Sequence, residues 1–171
     1  MSDRGLIVLV GMMGAGKTTV GRALAARLGL DFVDTDDLVS VSAGCSIREL
    51  FERHGEAHFR RVEASVLEET MGAVTSGVIG CGGGIVTVDP NRRLLKDARA
   101  TVVWLRAAPA SLAGRLDGGT DRPLLDGDAL ERLTALTAER DAWYAEVADV
   151  VVDVDDRSID QIVDEILAVV T

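Results

Sequence analysis

The chain has 171 residues, 47% of them hydrophobic and 27% charged, the balance of one folded domain with its own core and not of a disordered chain. The longest early apolar run, residues 6–10, falls far short of the roughly 18 residues of a membrane span, and a start through Asp3 and Arg4 straight into a glycine loop is not a signal-peptide pattern. The net charge of −10 lies wholly in residues 110–171, with residues 1–109 neutral, which argues against nucleic acid or an anionic membrane as partner and leaves any anionic ligand to local basic groups.

In chain order, LIVLV (6–10) is a continuous apolar run ending at a glycine loop, which predicts a buried strand. Residues 17–28 follow as a helix with Val20, Leu24 and Leu28 on one face. Residues 32–34 read as a short second strand. Ser46 to Glu49 is a capping box opening a short helix through Phe51, and Glu56 to Val74 is a longer one. Third and fourth strands are predicted at 78–80 and 102–105. A helix end and a polar loop rich in glycine, Asp and Arg fill 112–128. A helix at 129–147, a strand at 150–152 and a last helix capped by Ser158 complete the chain. Alternating strands and helices predict an α/β layer with a parallel sheet, which binds ligands at the carboxyl ends of its strands.

Residues 11–18, GMMGAGKT, match G-x-x-x-x-G-K-[ST] between an apolar strand and an amphipathic helix. The glycines turn backbone N–H groups toward phosphates, and the helix starting at Lys17 points its positive end at the same anion. Lys17 then reaches the β- and γ-phosphates and Thr18 serves Mg²⁺. The chain's one asparagine, Asn91, is followed by Arg92, so the Asn-Lys-x-Asp motif of guanine readers is missing and ATP is the expected nucleotide.

A second carboxylate site is expected after the second strand. Asp34 and Asp36 alternate, so on extended backbone they share a face, one for Mg²⁺ and one for an acceptor hydroxyl. Acids decorating a helix N-terminus are the competing reading, favoured for Asp37. Arg60, in FRRVE (59–63), suits a carboxylate with its planar fork, or pairs with Glu56 on a solvated face. Gly82, Gly83 and Gly84 suit close approach of a ligand to the main chain. Arg122, in the glycine-bearing loop 118–125, fits a closing lid that neutralises the transferring phosphoryl, with Arg115 as its neighbour. Arg140, taken alone, reads as a surface residue. His54 and His58 stand at a metal spacing with nothing further to support it, and Cys45 and Cys81 read as packing in a reducing cytoplasm.

Together these motifs, GMMGAGKTT (11–19), DTD (34–36), FRRVE (59–63), GGG (82–84), DRPLL (121–125) and the helix with Arg140, resemble the shikimate kinase family of P-loop folds from Leu6 to about Val170. The resemblance implies a single domain over 1–171 in three layers, with a parallel sheet ordered 2-3-1-4-5, substrate-binding helices at about 36–63 and a mobile lid at about 112–126. It implies that Gly14, Ala15, Gly16, Lys17, Thr18 and Thr19 cradle ATP and that Thr18 and Asp34 serve Mg²⁺. Asp36 would bind the reacting hydroxyl, Arg60 and Arg140 the substrate carboxylate, and Gly82, Gly83 and Gly84 the substrate hydroxyls. Arg122 would be the lid arginine and Arg157 would flank the adenine. The implied reaction is ATP plus shikimate giving shikimate 3-phosphate and ADP, in aromatic amino-acid synthesis.

The chain departs from the family pattern where a proline is common after the fifth strand: Ser158 stands about there. The competing functions are a kinase of another polyol acid, such as gluconate, and a non-catalytic nucleotide-binding module. The latter is expected to lose Lys17, Asp36 or Arg122, all present here. A cytoplasmic monomer is the expected state.

Overall fold

A computed structural model describes residues 5–116 and 128–171. Five parallel strands form one sheet in the order β2-β3-β1-β4-β5, as the resemblance implies. β1 (Leu6–Val10) lies at its centre and is buried at all five positions, which is why it is apolar throughout. It pairs on one side with β3 (Gly77–Gly80), Leu6 opposite Gly77, and on the other with β4 (Ala100–Arg106), Leu6 opposite Ala100. β2 (Phe32–Asp34) and β5 (Val150–Asp153) form the edges. The chain reverses its winding beside β1, so the loops after β1 and β3 open a crevice at the carboxyl edge.

Helices cover the sheet. α1 (Lys17–Leu28) packs against β3 and α7 (Ile159–Val170). α3 (Ile47–Ala73), α4 (Asp89–Asp97), α5 (Pro109–Leu116) and α6 (Ala129–Val147) pack against one another in turn: α3 on α4, α4 on α6, α5 on α6. α3 is broken at Gly55, with φ 78° and ψ 175°, which separates the two helical segments read from the sequence. The capping boxes at Ser46 and Ser158 are both formed. The main core surrounds the sheet. A smaller cluster of Val39, Leu50, Phe59 and Val66 joins α3 to α2 (Thr35–Ala43). Among the described residues no helix is long and apolar enough to cross a membrane.

Two stretches differ from the sequence reading. Residues 34–36 are not extended throughout: the strand ends at Asp34 and α2 begins at Thr35. Asp34 caps it, its Oδ1 accepting from the Asp36 N–H at 3.0 Å, and the acids at 36 and 37 sit at the favourable end of the helix dipole. Residues 85–97, to which no element was assigned from the sequence, form a 3-10 turn (Ile85–Thr87) and α4, with Pro90 in the first helical turn. Of the expected lid, α5 takes the part up to Leu116, and residues 117–126 lie outside the described residues.

Candidate active site

The loop after β1 curls through Gly14 and Gly16, at φ 83° and 93°, a conformation that only glycine adopts freely. Gly16 precedes α1 and no side chain caps that helix, so its first N–H groups point into the crevice. Lys17 folds over the loop, its Nζ donating to the carbonyls of Gly11 at 2.7 Å and Met12 at 2.9 Å. Thr18 Oγ1 donates to Asp34 Oδ2 at 2.8 Å, which brings an α1 hydroxyl to the end of β2. From α5, Arg115 reaches the carbonyls of Gly14 and Val154, each at 3.3 Å.

This loop forms one wall of a cavity of about 630 Å³. The opposite wall carries Asp36, Arg60, Glu63 and Arg140. The Arg60 Nη1 donates to Glu63 Oε2 at 2.7 Å, while Glu56 stands at 3.4 Å. The expected Glu56 pairing exists, but the tighter partner is Glu63, one turn further on and only 1% exposed. Burial pushes the Glu63 carboxyl up, against the pull of Arg60. Its Oε1 is buried without a partner among the described residues. Arg140 is 2% exposed, not the surface residue it seems in isolation, and its Nε and Nη1 also lack partners among the described residues. A buried guanidinium with open donors is costly unless an anion completes it.

The glycine triplet explains how these groups fit together. None of the three has a positive φ, so turn geometry does not require glycine. Space does. A Cβ on Gly82 would stand 2.6 Å from Asp36 Oδ1 and 2.7 Å from Glu63 Oε1, and one on Gly84 would stand 2.1 Å from Arg60 Nη1. The main chain is approached closely by the site's own side chains, not only by a ligand. The Gly82 N–H donates to Thr35 Oγ1 at 3.2 Å, which ties the triplet to the start of α2.

Of the residues expected from sequence, Gly14, Gly16, Lys17, Thr18, Thr19, Asp34, Asp36, Arg60, Gly83, Gly84 and Arg140 all line this one cavity. Ala15 is buried beneath the loop, and Gly82 lies behind Asp36. Asp37, assigned to the helix end, also reaches the cavity wall. Arg157 is not among the lining residues. Its guanidinium bonds the carbonyls of Asp153 and Gln161 at 3.0 and 3.1 Å and pairs with Glu165 at 2.5 Å. Arg122 lies outside the described residues. His54 and His58 face each other at 4.7 Å on an exposed surface, in no cluster of three ligands among the described residues. Glu63 was missed as a site residue, although its spacing of three from Arg60 was a readable signal.

A model of the family described as shikimate kinase matches residues 13–171. The chain belongs to the shikimate kinase family. It is 47% identical over 164 residues to the shikimate kinase of Symbiobacterium thermophilum, covering 94% of this chain and 93% of that protein. The solved shikimate kinase of Acinetobacter baumannii in complex with shikimate superposes with a TM-score of 0.93 at 37% identity, covering 97% of this chain and 92% of that one. A gluconokinase from Sinorhizobium meliloti covers 99% of this chain and 93% of its own with a TM-score of 0.59 at 20% identity, a shared fold alone. Family membership makes the chain a kinase.

Proposed function

We propose that this chain transfers the γ-phosphoryl group of ATP to the 3-hydroxyl of shikimate, giving shikimate 3-phosphate and ADP. The observation that carries this reading is that two arginines, Arg60 and Arg140, line one cavity together with Asp36 and the phosphate loop. An acceptor needs a carboxylate for the arginines and a hydroxyl at Asp36, and shikimate has both.

The loop N–H groups and the α1 terminus hold the ATP phosphates, with Lys17 placed to leave its carbonyl partners for the β- and γ-phosphates. Thr18 and Asp34 are an all-oxygen donor pair already 2.8 Å apart, which fits a hard divalent cation. Mg²⁺ held there would draw charge from the phosphate oxygens during transfer. Asp36 orients the 3-hydroxyl and takes its proton as the bond to phosphorus forms. Arg60 and Arg140 grip the carboxylate, so the hydroxyl approaches in line and the acceptor is positioned before chemistry begins. Arg122 serves as the lid arginine over the phosphates and Arg157 flanks the adenine, both by family resemblance. The protein works as a cytoplasmic monomer.

ADP release, followed in a coupled assay with shikimate and with gluconate as acceptors, tests the reading. Turnover with shikimate alone is expected. Equal turnover with gluconate removes the acceptor assignment, and no turnover with either removes the catalytic one.

A further inference from the structure

Tyr144 is the single tyrosine of the chain and is completely buried in α6. Its ring stacks on Trp104 of β4, with centroids 5.6 Å apart. Packing against a tryptophan asks only for an aromatic ring, and phenylalanine supplies one without a polar atom to satisfy. The hydroxyl therefore answers to something else. It donates its hydrogen to the carbonyl of Gly83. One helical turn earlier on the same helix stands Arg140, which lines the cavity as Gly83 does. Burial pushes the hydroxyl's pKa up, so it keeps that hydrogen.

The carbonyls that follow Gly83 are anchored from their own downstream side. Gly84 O accepts from Thr87 Oγ1 at 2.7 Å, Ile85 O from Asn91 Nδ2 at 3.0 Å, and Val86 O from Arg92 Nη1 at 2.7 Å. Among the described residues the Gly83 anchor is the one of these carbonyl bonds that comes from α6, the helix that carries Arg140. Arg140 has two nitrogens without partners among the described residues, so the spacing between α6 and the glycine segment sets where those donors stand.

We infer that Tyr144 is a positioning residue for the acceptor: its hydroxyl ties the Gly83 backbone to α6 and so holds the glycine segment and the helix that carries Arg140 at a fixed spacing. The inference rests on Arg140 as a carboxylate-binding group. Tyr144 itself does not line the cavity. Its contribution is pre-organisation: a carboxylate-binding helix already held at its spacing from the glycine segment rearranges less when the anion arrives.

The test is a double-mutant cycle of Tyr144→Phe and Arg140→Lys, with KM for shikimate, KM for ATP and kcat measured in each enzyme. Tyr144→Phe is expected to raise KM for shikimate about two- to tenfold, the scale of one neutral hydrogen bond, with KM for ATP and kcat unchanged. In the Arg140→Lys background the same substitution is expected to add little. Equal factors in both backgrounds, or parallel rises in both KM values, overturn the inference and leave Tyr144 a packing residue. No rise in KM for shikimate in Arg140→Lys alone overturns the carboxylate reading first, which separates the two failures. Because 3-fluorotyrosine labels position 144 only, a ¹⁹F resonance gives a second readout in the unmutated enzyme. It is expected to shift on adding shikimate and to stay in place with ATP alone; a resonance indifferent to shikimate also overturns the inference.

Discussion

The two walls of the cavity are built in opposite ways. The phosphate wall is nine consecutive residues, 11–19, in which backbone N–H groups and a helix terminus meet the ligand. The acceptor wall draws Asp36 from α2, Arg60 and Glu63 from α3, the glycines after β3, and Arg140 from α6. Phosphate is the same anion in every kinase, and one local backbone shape suffices for it. A polyol acid presents a carboxylate and hydroxyls several ångströms apart, and only side chains brought from separate elements span that distance.

The contrast predicts that damage to the first wall abolishes chemistry without discriminating among acceptors, while damage to the second falls on the acceptor. Lys17→Ala gives the largest effect. Removing a cation aimed at the transferring phosphoryl should lower kcat by roughly 10³–10⁵-fold, with the far-ultraviolet circular dichroism unchanged. Near-normal turnover would break the nucleotide assignment. Asp36→Asn keeps the shape but removes the charge that takes the proton, and should lower kcat by roughly 10²–10⁴-fold at saturating ATP. A pure KM effect would move Asp36 from chemistry to binding.

Arg60→Lys keeps the charge and loses the fork. KM for shikimate should rise by the equivalent of about 1.5–3 kcal/mol, with KM for ATP little changed. Gly84→Ala sharpens the same point from the backbone side. The φ of −89° suits alanine, so the variant should fold. Its Cβ would displace the Arg60 guanidinium, which is pinned to Glu63, and KM for shikimate should rise roughly tenfold. An unchanged KM there would mean that Arg60 relaxes without cost.

The smallest effect concerns pH. The folded protein holds the Glu63 proton more tightly than the unfolded chain does, because burial raises its pKa from 4.5. As pH rises above 4.5, the unfolded chain releases that proton first, so this residue's contribution to stability declines. Urea unfolding across pH 4–8 (about the working range of the method) should show wild type losing stability relative to Glu63→Gln. Parallel curves would mean that Arg60 fully offsets the burial of Glu63.

The phosphate loop, the sheet's strands and the caps at Ser46 and Ser158 were legible in the sequence because each is a local matter: a glycine spacing, an apolar run, a serine at the start of an amphipathic stretch. α4 was not, because the amphipathic pattern of residues 89–97 is short and dominated by its charges. The DTD segment was given an extended backbone, whereas Asp34 ends a strand and caps a helix at once. Arg140 shows the limit most directly. Its neighbours Glu139 and Asp141 give it the look of a surface residue, and nothing within one turn of α6 shows that the glycine segment and Trp104 close over that face.

What the sequence determined by itself was therefore the nucleotide half of the site, where contiguous residues create a fixed field of N–H groups whatever else surrounds them. The tertiary structure decided the acceptor half: that Glu63 and not Glu56 is the close partner of Arg60, that the glycines are small to admit Asp36, Glu63 and Arg60, and that Arg140 is buried with open donors. Those facts depend on distances between elements far apart in the chain, and burial, which sets the strength of every charge in the pocket, is a property of the packed molecule and of no residue alone.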